Sequence, residues 1–276
     1  MALLNNLLGG VRHRIGKFFH RPYQVFGIGW LDEKKWKHQK DRTEIKQHLY
    51  RNKYTIFFRD APEFLVSIEE LFVKEFYRFK PQTDRPRIID CGSYIGTSIL
   101  YFKTNYPNAV VTGFEPDPSN FALLQRNLDN WRFADTNAVN AAIWIHNDGM
   151  SFNSEGNMSS RITGEPGETG TEKVNTVRLN DLLDEPVDFL KIDIEGAELP
   201  VLKDCAGKLK NVRNLFIEYH GKYEHSAHLN EILEILAGSG FAYAIKDGGV
   251  IHARPFFDRD TDYEYDVLLN IFAFRP

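Results

Sequence analysis

From residue 87 onward, short apolar runs alternate with longer segments whose apolar residues recur every three or four positions. RIIDCG, AVVTGFEP, NAVNAAIW, VDFLKID and VRNLFIEYH read as strands. GTSILYFKTNY, DPSNFALLQRNLDNW, AELPVLKDCA and SAHLNEILEILAGSG read as the helices among them. Asp117 before Pro118 marks one helix start, and Ser226 and Gly238 bracket the last helix. Such alternation predicts an α/β sheet with helices on both faces. FAYAIK and YDVLLNIFAF close the chain as two strands with no helix between them, so the final strand should pair antiparallel. Residues 146–186 are polar and glycine-bearing and read as loop or hairpin, with KVNTVRL a short strand.

KPQTDRP (80–86) interrupts the chain with two prolines and sets a boundary there. Residues 1–80 then form a basic, aromatic helical extension and 81–276 the main domain. The first 21 residues read as a basic amphipathic helix that either rests on an anionic membrane surface or packs on protein. Residues 30–80 also read as helical, including APEFLVSIEELFVKEFYRF, opened by Pro62. Residues 1–53 carry twelve Lys/Arg against four Asp/Glu, a balance of +8; the remaining 22 against 34 give −12. An acidic body argues against a nucleic-acid surface there. Two cysteines and no apolar run of about 20 residues indicate a reduced, cytoplasmic protein without a membrane span, with peripheral membrane contact through the first helix left open. Oligomeric state stays open as well.

In RIIDCGSYIGTS a buried strand ends at Asp90, and Gly92 and Gly96 bracket a turn that leads into a helix. Glycines allow positive φ and close approach of a ligand to the backbone, and the helix start offers N–H groups. The next strand ends in Glu115, 23 residues after Gly92, placed to accept hydrogen bonds from ribose hydroxyls. The glycine spacing is G-x-x-x-G, with Tyr94 and Ile95 between, rather than the dinucleotide G-x-G-x-x-G, and no P-loop lysine follows. Asp90 at the base of the loop would disfavour a phosphate and favour an ammonium or sulfonium. The residues therefore fit a cationic nucleoside such as S-adenosylmethionine better than NAD or ATP.

IIDCGSYIGTSILYF, GFEPDPSNFALLQRNL, VRLNDLL, VDFLKIDIEGAELPVLKDC and NLFIEYH stand in the order found in FkbM-type methyltransferases, and the chain resembles that family over about 54–274. The resemblance implies a class I methyltransferase (Rossmann-like) fold with a seven-stranded sheet, and S-adenosylmethionine-dependent methylation of an oxygen. It implies a cofactor site in which Asp90, Gly92, Ser93, Tyr94, Gly96 and Ser98 shape the methionine side, with Asp193 beside it. Glu115 would hold the ribose, Pro116 border the adenine and Ala142 lie under its ring. A sugar, glycan or other small-molecule hydroxyl is the implied acceptor.

The chemistry falls on acidic strand ends. Asp193 and Glu195 follow one strand, and Glu218 and His220 lie two apart on the next. Methyl transfer to a hydroxyl needs a group to accept its proton. His220 is the expected general base, oriented by a carboxylate, with Asp193 near cofactor and acceptor. The alternative is a divalent metal held by Asp193, Glu218 and His220 and chelating a diol-like acceptor. Glu198 reads as a helix-start residue that favours the helix dipole. Arg161 is either a contact for an anionic acceptor or a solvated loop arginine. A nucleotide-dependent oxidoreductase and a non-catalytic binding module remain as other classes.

Overall fold

The computed structural model describes residues 22–153, 161–162, 172–249, 252, 254, 256–257 and 265–276. The amphipathic helix expected over 1–21 and the side chain of Arg161 lie outside the described residues. The chain divides into two compact units, Met1–Phe76 and Tyr77–Pro276.

The first unit holds a helix, Trp30–Lys37, and then a feature the sequence reading lacks. Lys46–Tyr50 and Tyr54–Phe58 form an antiparallel hairpin where helix was expected. The physical reason is local: Arg51 and Asn52 both take φ +52, turning the chain, and aromatic and β-branched residues in YTIFF suit a pleated surface. Ala61–Ile68 is the expected helix, its Asp60 cap accepting from the Glu63 N–H at 3.0 Å, and it widens into a π-helical turn over Glu69–Val73. Phe26 stacks on Tyr50 and Phe58 on Phe64, each pair at 4.1 Å, forming an aromatic core.

The second unit is built on a seven-stranded sheet. Its strands are β1 (Arg87–Cys91), β2 (Val110–Phe114), β3 (Thr136–Val139), β4 (Val187–Ile192), β5 (Val212–Gly221), β6 (Ala242–Asp247) and β7 (Val267–Phe274). Their spatial order is β6-β7-β5-β4-β1-β2-β3. β7 pairs antiparallel with both β5 and β6, while the other pairings are parallel. This is the class I methyltransferase sheet with its last strand reversed, as the paired closing strands imply. Helices α1 (Thr97–Asn105), α2 (Pro118–Trp131), α3 (Glu198–Cys205) and α4 (Ala227–Gly238) connect the strands. α2 starts at the expected Asp117 cap, which accepts from the Asn120 N–H at 2.9 Å.

NAVNAAIW is not one strand. The Asn140 side chain donates to the carbonyls of Glu115 and Pro116 at 2.8 and 3.0 Å, pinning the chain across the end of β2. Beyond it, Ala142–Trp144 leaves the main sheet and pairs in parallel with Thr176–Arg178. Among the described residues, no helix is long and apolar enough to cross a membrane.

Candidate active site

The parallel strands β1, β2, β4 and β5 end along one edge of the sheet, where open α/β sheets bind their ligands. Four local structures meet there: the loop after β1, the end of β2, the turn after β4 and the end of β5.

The loop after β1 is held from below by Asp90. This side chain is fully buried, and its Oδ2 accepts from the hydroxyls of Ser93 at 2.9 Å and Ser98 at 2.5 Å. Gly92 and Gly96 both take φ +87. A Cβ on Gly92 would stand 1.9 Å from the Asp193 backbone oxygen, so the loop and the end of β4 touch through a position that only glycine can fill. Tyr94 also has positive φ and sends its N–H to Glu115 Oε2 at 2.8 Å.

Glu115 is buried, with its other oxygen accepting from the Asp117 N–H at 3.0 Å. Burial pushes its carboxyl up to about 8, against the lowering pull of these two N–H groups. Each oxygen has one of these donors, and a carboxylate oxygen can accept a second. That pair of acceptor oxygens, with the glycine loop beside it, fits the ribose hydroxyls of a nucleoside. Pro116 follows immediately under the Asn140 bond. Ala142 is buried in a small cluster with Val174 and Met150.

Lys191 is absent from the residues singled out by sequence, yet it ties the region together. It stands on β4, opposite Asp90 of β1, and is 4% exposed. Its ammonium lies 3.0 Å from Asp193 Oδ2 and 3.7 Å from Asp90 Oδ1, and donates to the Gly92 carbonyl at 2.7 Å. Burial would lower its pKa, but the two carboxylates prevail and hold it above the ordinary lysine value. Asp90 therefore does not present the unbalanced charge expected from the sequence: Lys191 stands 3.7 Å from its Oδ1, although burial still pushes its carboxyl above the usual aspartate value. The signal was available: a lysine within the apolar strand FLKI must find a buried anion.

The turn after β4 carries Glu195 at φ +54 and Gly196 at φ +92. Left-handed backbone at a non-glycine residue is a strain often kept where it aims a side chain. Glu195 Oε2 lies 3.3 Å from His220 Nε2, and Glu218 Oε1 lies 4.0 Å from the same nitrogen. On the other side of the ring, His220 Nδ1 meets Glu198 Oε1 at 3.1 Å. The Tyr265 ring packs against the imidazole with centroids 4.7 Å apart. Burial would lower the His220 pKa, but the Glu198 hydrogen bond and the fields of Glu195, Glu198 and Glu218 raise it well above 6.5.

The structure thus brings together Glu195, Glu218 and His220, with Asp193 alongside. The donor atoms of Asp193, Glu195 and His220 lie within 4.8 Å of one another, so the geometry substitutes Glu195 for Glu218 in the metal-capable set. Glu198 is more than a helix-start residue, because it binds the imidazole directly.

Residues 90–243 match the family model of the Methyltransferase FkbM domain. Methyltransferase 1 of Beauveria bassiana (strain ARSEF 2860) is 26% identical over 204 residues, covering 64% of this chain and 81% of its own. Methyltransferase sdnD of Sordaria araneosa is 28% identical over 210 residues, covering 63% and 80%. Among solved structures, methyltransferase FkbM from Methylobacillus flagellatus KT is similar at 20% identity and TM-score 0.49. That similarity covers 75% of this chain, which spans 47% of the length of the other.

Proposed function

This chain belongs to the FkbM-domain methyltransferase family, whose members depend on S-adenosylmethionine, and we propose that it methylates a hydroxyl of a sugar, a glycan or a related natural product. The observation that carries the oxygen acceptor is the His220 imidazole at the end of β5, held at Nδ1 by Glu198 with Nε2 directed to Glu195. A ring fixed in this way suits removal of a hydroxyl proton.

When bound, S-adenosylmethionine supplies an electrophilic methyl group on a sulfonium. Glu115 would hold its ribose, and the backbone of the Gly92–Gly96 loop would border its methionine part. Lys191 keeps Asp193 fixed at the strand end, and the acceptor enters beside Glu195 and Glu218, whose carboxylates can accept from neighbouring sugar hydroxyls. His220 Nε2, once neutral, would take the proton of the acceptor hydroxyl. Positioning the acceptor in line supplies much of the remaining acceleration.

The reaction is tested with carbon-13-labelled methyl donor and a panel of sugar hydroxyl and amine acceptors. The methyl resonance of the product distinguishes an ether from an amine, and transfer only to amines would overturn the reading. The same assay after dialysis against EDTA should keep its rate, because Lys191 already supplies a cation to Asp193 at 3.0 Å. Loss of activity that Mg²⁺ or Mn²⁺ restores would instead support the metal alternative.

Cofactor binding should depend on pH through Glu115. Its carboxyl sits at about 8 in the unliganded protein, so it is largely protonated at pH 7. Ribose hydroxyls donate to the ionised form and favour it, so binding should release a proton below about pH 8. Affinity should therefore rise with pH and level off above that value. Calorimetry in buffers of different ionisation enthalpy measures the release, which should vanish in Glu115→Gln. Proton uptake on binding would have the wrong sign.

A further inference from the structure

The carboxylate opening α3 does something that a helix-start residue does not. Glu198 is 1% exposed, and its Oε1 accepts from the Gly196 N–H at 3.1 Å and the Ile194 N–H at 3.4 Å. The same oxygen faces His220 Nδ1 at 3.1 Å. One atom therefore joins the turn after β4 to the imidazole at the end of β5.

We propose that Glu198 is the positioning residue of this site: it fixes the His220 ring so that Nδ1 carries the proton and Nε2 faces the acceptor, and it sets the turn that presents Glu195. This rests on the reading of His220 as the group that accepts the hydroxyl proton.

Three geometric facts carry the assignment. First, α3 begins at Glu198 itself, so its position follows from the start of the helix rather than from a mobile loop. Second, the turn that it binds includes the left-handed pair Glu195 and Gly196. By accepting from the Gly196 and Ile194 N–H groups, the Glu198 carboxylate helps to hold the backbone in this left-handed turn. Third, the two ring nitrogens of His220 have different surroundings. Nδ1 meets a carboxylate committed to backbone donors, whereas Nε2 meets Glu195, whose side chain is 13% exposed. Once neutral, above its raised pKa, a histidine held by a buried carboxylate at one nitrogen keeps its proton there and presents a lone pair at the other. Tyr265 limits rotation of the ring from a further side.

The charge and the hydrogen bond can be separated. Glu198→Gln keeps an acceptor oxygen of the same reach but removes the charge, and Glu198→Ala removes both. Turnover should fall by about 10²–10⁴-fold in both Glu198→Gln and Glu198→Ala, with the KM for S-adenosylmethionine unchanged. Nitrogen-15 spectra of labelled histidine supply a readout independent of turnover. Recorded above the raised His220 pKa, the neutral ring should carry its proton on Nδ1 in the native protein and lose that preference in Glu198→Ala. Should the alanine variant fail to fold, the same spectrum is read on Glu198→Gln, where the preference should weaken. Native turnover in both folded variants, or an unchanged tautomer, would overturn the proposal. If His220→Ala keeps native turnover while the tautomer still shifts on changing Glu198, the general-base reading fails and the Glu198–His220 coupling stands.

Discussion

Replacing His220 by alanine should lower kcat by about 10²–10⁴-fold and leave the affinity for S-adenosylmethionine unchanged. The expected split follows from where the side chain stands. His220 makes its contacts with Glu198, Glu195, Glu218 and Tyr265, at the ends of β4 and β5. The groups suited to the nucleoside lie at the ends of β1 and β2, where Glu115 is bound by Tyr94 and Asp117. Loss of the imidazole removes the proton acceptor without touching those groups. The pH profile adds a second test. The surrounding carboxylates hold the His220 pKa well above 6.5, and only the neutral ring can accept a proton. The native kcat should therefore climb with pH through that raised value, and the limb should be missing in the alanine variant. Steady-state kinetics across pH, with calorimetry for the cofactor, makes the comparison. A kcat retained within about threefold would remove His220 as the base, leaving Glu195, the carboxylate nearest to Nε2, to take its place.

Much of this site could be read from the sequence because it depends on strand ends, which local patterns mark well. Asp90, Glu115, Asp193 and His220 each close or follow an apolar run, and in a parallel sheet such ends share one edge. Other features depended on pairings that a linear pattern does not contain. The hairpin of Lys46–Tyr50 with Tyr54–Phe58 turns on Arg51 and Asn52, two residues without glycine's open signal for positive φ. The division of NAVNAAIW is made by an Asn140 side chain that reaches back 25 positions to Glu115. Glu198 satisfies the rule for a carboxylate in a first helical turn, and that adequate local reading hid its bond to His220, 22 residues away. Asp90 and Lys191 show the same limit in electrostatic form. The aspartate looked like an attractive charge for a cation until its partner across the β1–β4 pairing was known.

Lys191→Met should destabilise the second unit by about 3–5 kcal/mol, the usual cost of removing one partner from a buried ion pair. The methionine fills similar space, so the loss is electrostatic rather than a cavity. Without the ammonium, the fully buried Asp90 keeps its two serine hydroxyls but has no cation, and Asp193 loses its partner at 3.0 Å. The Gly92 carbonyl loses its 2.7 Å donor as well. Because the carboxylates raise the folded pKa of Lys191 above 10.5, its stabilising contribution is fully present below that value and is lost only as pH rises through the higher folded pKa. The deficit should consequently appear undiminished at neutral pH. Urea unfolding measures it, and adding Asp193→Asn to Lys191→Met should recover part of the loss by removing one uncompensated carboxylate. A double variant as unstable as the sum of the two single changes would show that the pair does not interact. Cofactor affinity should weaken in Lys191→Met even under conditions where the protein stays folded, since the ammonium donates to the Gly92 carbonyl and pairs with Asp193, tying the cofactor loop to the end of β4. The lysine thus links stability to binding: it holds together the two strand ends from which the cofactor loop and the acceptor turn depart.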